Sequence, residues 1–115
     1  MEQLNRIELR GNVGNVRVLT TAGRRMAKFT LATNYAYKDR GGNPVIETTW
    51  HNVVAWEGAQ ICPIEKIEKG AKIYVSGRVK IQKYVDANEI ERVSYEVQAS
   101  RVVPVDGDDM LQYEM

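Results

Sequence analysis

Apolar and polar residues alternate with a two-residue period through most of this sequence, the spacing of strands that bury one face. Ile7 and Leu9 alternate with Arg6, Glu8 and Arg10 in a first strand. Gly11 to Asn15 interrupt it with a bend or bulge, and Val16 to Leu19 continue it. Thr20-Thr21-Ala22-Gly23 has hairpin-turn chemistry, and Met26 to Asn34 form a second strand with Ala27, Phe29 and Leu31 inward. A polar loop, Lys38-Asp39-Arg40-Gly41-Gly42-Asn43-Pro44, precedes a third strand from Thr48 to Trp56. The period then changes. Ile61, Ile64 and Ile67 recur at threes among Glu65, Lys66, Glu68 and Lys69, with Gly70 as a C-terminal cap. Pro63 must fall in the first turn, which keeps this helix short. Lys72 to Val85 make a long fourth strand, Asp86-Ala87-Asn88-Glu89 a turn, and Val93 to Val103 a fifth strand.

Three strands, a helix and two more strands is the order of a five-stranded OB-fold barrel, all-β with one short helix between strands three and four. A small sandwich with one helix gives a similar pattern. The length of 115 residues fits one domain. The expected division is a barrel over residues 1–105 and a short acidic tail over 106–115. Apolar stretches are far too short to span a membrane, and Met1 to Asn5 carry neither the basic nor the apolar region of a signal peptide. The expected location is the cytoplasm, and the single cysteine, Cys62, fits a reducing compartment as buried filler.

Charge sharpens the picture. The net charge of +1 hides an asymmetry, because Asp106, Asp108, Asp109 and Glu114 lie in the last ten residues, which hold no Lys or Arg. The preceding residues carry 16 basic against 11 acidic side chains, a balance that suits a nucleic-acid binder. On the fourth strand Ile73, Val75, Gly77, Val79 and Ile81 should face the core. Lys72, Tyr74, Ser76, Arg78, Lys80, Gln82 and Tyr84 share the opposite face. On the third strand Trp50, Asn52, Val54 and Trp56 share one parity, while Val53 and Ala55 already supply the other with apolar groups. Both tryptophans could be core anchors. The alternative is a face where aromatics stack on bases and cations follow the phosphates.

The runs Leu31-Ala32-Thr33, Thr49-Trp50-His51-Asn52-Val53-Val54, Lys69-Gly70, Tyr74-Val75-Ser76-Gly77 and Lys83-Tyr84 decide between these readings. In order and spacing they resemble the bacterial single-stranded DNA-binding protein family, from about Asn5 to Val103. The resemblance implies that bases stack on Tyr37, Trp50, Trp56 and Tyr84, with Tyr74 nearby. Phosphates would meet Lys28, Arg78, Lys80 and Lys83, with Arg6 a weaker candidate. Tyr37 and Lys83 carry the core parity of their strands, so Tyr37 needs a bulge or loop position near Asn34, and Lys83 a twisted strand end. Family members often have tryptophan at Tyr37 and Tyr84, and a basic residue at Asn52.

The resemblance further implies a homotetramer with His51, and with it Arg6, near a subunit interface. Single-stranded DNA is the expected partner, in replication, recombination and repair. No cofactor is expected. One His and one Cys cannot supply a typical zinc set, and no catalytic motif stands out. Two rivals share the fold: a primosome-type module that docks other proteins, and an RNA-binding domain. Relatives usually continue into a long linker with a terminal Pro-Phe that recruits replication and repair proteins. Here Pro104 to Met115 follow the barrel, with acidic and apolar groups but no Pro-Phe. The tail could be a shortened docking tip, a disordered end or a weak competitor for the cationic face.

Overall fold

A computed structural model describes residues 2–105, and the expected acidic tail of residues 106–115 lies outside them. Five strands, β1 (Ile7–Thr21), β2 (Arg24–Lys38), β3 (Pro44–Trp56), β4 (Lys72–Val85) and β5 (Glu91–Pro104), close into a barrel in the order β1-β2-β3-β5-β4. Closure works because β1 is long enough to serve two partners. Its first half, Ile7 to Asn12, pairs antiparallel with β4, and its second half, Asn12 to Thr21, with β2. The register slips between Val13 and Val16, so the interruption expected at Gly11 to Asn15 is a bulge. Such a bulge bends a strand and lets it pass from one neighbour to the next. Asn5 extends the β1–β4 seam: its Nδ2 donates to the Val79 carbonyl at 2.8 Å, and the Val79 N–H donates to its Oδ1 at 3.0 Å.

The expected barrel is present, with its helix reduced to a single 3-10 turn, Ile64–Lys66. Pro63 precedes that turn, and Gly70, at φ +88, lies just beyond it. The three-residue spacing that suggested a helix serves burial instead. Ile64 and Ile67 enter the core and Ile61 packs against it. Leu31, Ile73, Val53, Val75 and Val102 are the largest fully buried side chains. Each contributes about 1.5–3 kcal/mol through its burial.

The other strands run further than the sequence pattern suggested, while β4 keeps its expected bounds, Lys72–Val85. β2 and β3 pair without interruption to Lys38↔Pro44, and β4 and β5, after one register shift between Ser76 and Gly77, pair to Val85↔Glu91, so each hairpin continues past the core as a two-stranded arm. Both tips are closed in the same way. Asp39 accepts the N–H groups of Gly41 and Asn43, each at 2.9 Å. Asp86 accepts those of Asn88 at 2.9 Å and Ile90 at 3.1 Å. At the opposite end, Ala22 (φ 52) and Gly23 (φ 80) make a two-residue turn between β1 and β2, a left-handed pair that matches strand twist.

Candidate nucleic-acid interface

Pairing carries the outer parity of one strand to the next around the barrel. Arg17 on β1 lies opposite Lys28 on β2, Lys28 opposite Val54 on β3, Val54 beside Gln98 on β5, and Gln98 opposite Arg78 on β4. One row therefore crosses five strands, with cations toward both ends and a buried valine between. The neighbouring rows hold Thr30 opposite Asn52, and Lys80 opposite Glu96. A cleft of about 400 Å³ opens here, lined by Arg17, Lys28, Thr30, Asn52, Gln82 and Glu96 among others. It exists because β3 and β5 pair only at Val53↔Val97 and Val54↔Gln98, then part company.

Trp50 and Trp56 stand at either end of this β3 face, and neither is a core anchor. Trp50 is 59% exposed. Its indole lies over Gly14, where an added Cβ would be 2.5 Å from Cζ3. The bulge places that glycine, so a backbone irregularity in β1 seats an aromatic of β3. Trp56 is half-buried and lies opposite Met26, with the Arg24 guanidinium 5.4 Å from its ring centroid.

Of the other residues singled out in the sequence, some join this face and some do not. Arg78, Lys80 and Tyr84 share the outer parity of β4, and Tyr84 is 51% exposed on the arm opposite Arg92. Lys83 lies on the other face of that arm, opposite Val93. The ladder keeps its register there. Tyr37 sits in neither a bulge nor a loop. It stays in register opposite Val45, half-buried, its ring 5.7 Å from that of Tyr35. This pair has the parity opposite to Trp50. Tyr74 shares the outer parity of β4 but lies at the start of that strand, opposite Arg10 on the β1 seam, and donates its hydroxyl to Glu8 at 3.0 Å. Arg6 is exposed and pairs with Glu8 at 2.7 Å.

His51 lies opposite the fully buried Leu31 but is itself only half-buried. It shares a 2.9 Å hydrogen bond with the Thr33 hydroxyl, and burial lowers its pKa. A second cleft of about 400 Å³ is lined by Ile7, Trp50, His51, Val79, Val93 and Tyr95, among others. Burial instead raises the pKa of the Cys62 thiol, which opposes reactivity. Among the described residues no group of three His, Cys, Asp or Glu side chains could hold a metal. Within the same residues, no helix is long and apolar enough to cross a membrane.

Sequence reasoning missed Arg17, Arg24, Tyr35 and Tyr95. Arg17 follows the bulge, where parity reverses, so alternation counted from Ile7 assigns it to the wrong face. Arg24 alternates with Met26 and Lys28 and becomes visible once the strand is begun two residues earlier. Tyr35 and Tyr95 carry inward parity on segments that run beyond the core.

Comparison with known proteins places this surface in context. The model of the Single-strand binding protein family matches residues 4–105. Single-stranded DNA-binding protein 1 of Chlorobaculum tepidum is 38% identical over 86 residues, covering 72% of this chain and 52% of its own. The single-stranded DNA-binding protein of Neisseria meningitidis is 30% identical over 107 residues, covering 90% of this chain and 61% of its own. The chain thus spans about half to three-fifths of the length of these two relatives. A solved structure, the Plasmodium falciparum SSB complex with ssDNA, superposes with a TM-score of 0.77 at 26% identity. That likeness covers 92% of this chain and 98% of the other.

Proposed function

The chain belongs to the single-strand binding protein family, and from that premise we propose that it binds and protects single-stranded DNA with little sequence preference, without catalysis. One observation carries the reading: along the β3 face Trp50 and Trp56 stand to either side of a registered row through Val54 that carries Arg17 and Lys28 at one end and Arg78 at the other. Bases stack on the two indoles, and the strand continues to Tyr84 on the β4–β5 arm. Phosphates meet Lys28, Arg78 and Lys80, with Arg17 added to the set. Every nucleotide offers a stackable base face and a phosphate, which is why such a surface reads little sequence. Tyr37, Tyr74 and Lys83 would contact DNA only where the strand wraps onto the other faces of the barrel and its arms.

The same premise supports a homotetramer with His51 and Arg6 near a subunit interface. It also supports a cytoplasmic role in replication, recombination and repair, with the acidic tail a route to other proteins of those processes. The decisive experiment is a titration of tryptophan emission with oligo-dT, duplex DNA and RNA. Oligo-dT should quench the emission, and duplex should barely change it. Quenching by RNA alone would replace this function with RNA binding, and quenching by none of the three would remove it.

A further inference from the structure

Two adjacent arginines at the start of β2 have opposite fates. Arg25 is spent on structure. Its backbone N–H donates to Glu57 Oε1 at 2.9 Å, its Nε donates to Glu57 Oε2 at 3.2 Å, and its Nη1 is bonded to Glu65. It ties β2 to the end of β3 and to the 3-10 turn. Its backbone N–H, and then its guanidinium, hold the Glu57 carboxyl below the usual carboxylate range, and its guanidinium does the same to Glu65. Arg24 has no carboxylate hydrogen bond among the described residues. Its Nη2 donates to the Glu57 backbone carbonyl at 3.2 Å, and its guanidinium lies 5.4 Å from the Trp56 ring centroid. Its other N–H groups have no further hydrogen-bond partner among the described residues. It shares the outer parity of Met26 and Lys28, whose partners on β3 are Trp56 and Val54.

We propose that Arg24 is a further DNA-contacting residue, held ready on Trp56 in the free protein and passed to a phosphate of the nucleotide that stacks there. A guanidinium within about 6 Å of an indole is attracted to its face, and it is planar enough to lie flat on it. That contact and the single carbonyl bond keep the side chain on the β3 face rather than free in solvent. Phosphate is the better partner for the exposed donors, because it accepts two parallel N–H bonds and carries full charge. Turning outward breaks one bond to a neutral carbonyl, gives up a weaker through-space attraction to the Glu57 carboxylate, and uncovers the indole for the base. Arg24 thereby extends the cationic track from the Arg17–Lys28 row to the β1–β2 turn.

This inference rests on the stacking role proposed for Trp56, so the test separates the two. The background is Trp50→Phe, which leaves Trp56 as the sole tryptophan. Oligo-dT affinity is measured in Arg24→Ala, Arg24→Lys and Arg25→Ala across a salt series. Arg24→Ala should weaken binding at low salt and reduce the log–log salt slope by about 0.7, the loss of one phosphate contact on single-stranded DNA. The ratio of parent to variant affinity should then shrink about 2.6-fold for each fourfold rise in salt. Arg24→Lys should keep the slope, and Arg25→Ala should leave it unchanged while lowering stability. An unchanged slope in Arg24→Ala, or tighter binding, overturns the proposal and makes Arg24 a cover for the ring. Absence of Trp56 quenching with Arg24 intact overturns the stacking role instead, whatever the slopes do.

Discussion

The barrel body and the two arms are made of the same strands, yet they obey different rules. β4 shows the contrast within one element. From Lys72 to Val75 it alternates half-buried and buried, whereas from Lys80 to Val85 every residue is exposed. The apolar parity does not change along the way: Ile81 keeps the phase of Ile73 and Val75 but is 55% exposed. Alternation specifies a buried face only where a second layer exists to cover it. On the β2–β3 arm Ala36 is still fully buried, whereas in the β4–β5 arm both faces meet solvent. Side chains there are free to serve a ligand, at little cost to the fold.

The largest test of this contrast is truncation on either side of the boundary. Leu31→Ala, at a fully buried site, should cost about 2–5 kcal/mol in urea unfolding. Tyr84→Ala should change stability by less than about 0.5 kcal/mol. It should still weaken oligo-dT binding by about 1–3 kcal/mol, the range established for base–aromatic contacts in proteins of this class rather than derived from this barrel. An arm variant that unfolds would show that the arms belong to the body.

A smaller effect is expected where the two regions meet. Gly14 belongs to the β1 bulge, and a methyl group there would fall 2.5 Å from Trp50 Cζ3 and 2.6 Å from Thr30 Oγ1. Gly14→Ala should therefore push the indole from its seat and weaken oligo-dT binding, by no more than the roughly 1–3 kcal/mol that one stacked base is worth. Trp50→Ala should lose that much outright and keep its fold, because the ring is mostly exposed. The sharpening measurement is the double variant. If Gly14 acts only through Trp50, adding Gly14→Ala to Trp50→Ala weakens binding no further.

These same features explain what was legible in the sequence. Strand count, order and most core positions follow from alternation, because Ala27, Phe29, Leu31, Ile73 and Val75 lie in the covered body. The tryptophans of β3 were legible as well, since Val53 and Ala55 already filled the other face. The rest was hidden for identifiable reasons. Threefold isoleucine spacing reads as helix, although Pro63 and Gly70 leave room for a single turn. A bulge reverses parity for Arg17, and no local signal announces how many residues it absorbs. In the arms parity no longer reports burial, so Tyr35, Tyr37 and Lys83 could not be assigned to a face by asking which one is buried.

The smallest expected effect is one of pH, at the residue that stands on the boundary. His51 lies opposite Leu31 yet is only half-buried, and it shares a hydrogen bond with Thr33. Burial disfavours its charged form, so its folded pKa lies below the ordinary value near 6.5. Between the folded and unfolded pKa the unfolded chain binds more protons, and stability therefore rises with pH through that window. The contribution is complete above the unfolded value and is lost as pH falls from there through the depressed folded value. His51→Gln removes the titration and keeps a polar partner for Thr33. Urea unfolding at fixed protein concentration between about pH 5 and pH 8, where histidine titrates, should show a shallower acid-side decline in the variant. An identical decline in both proteins would place His51 in solvent and move the boundary of the body back toward Val53.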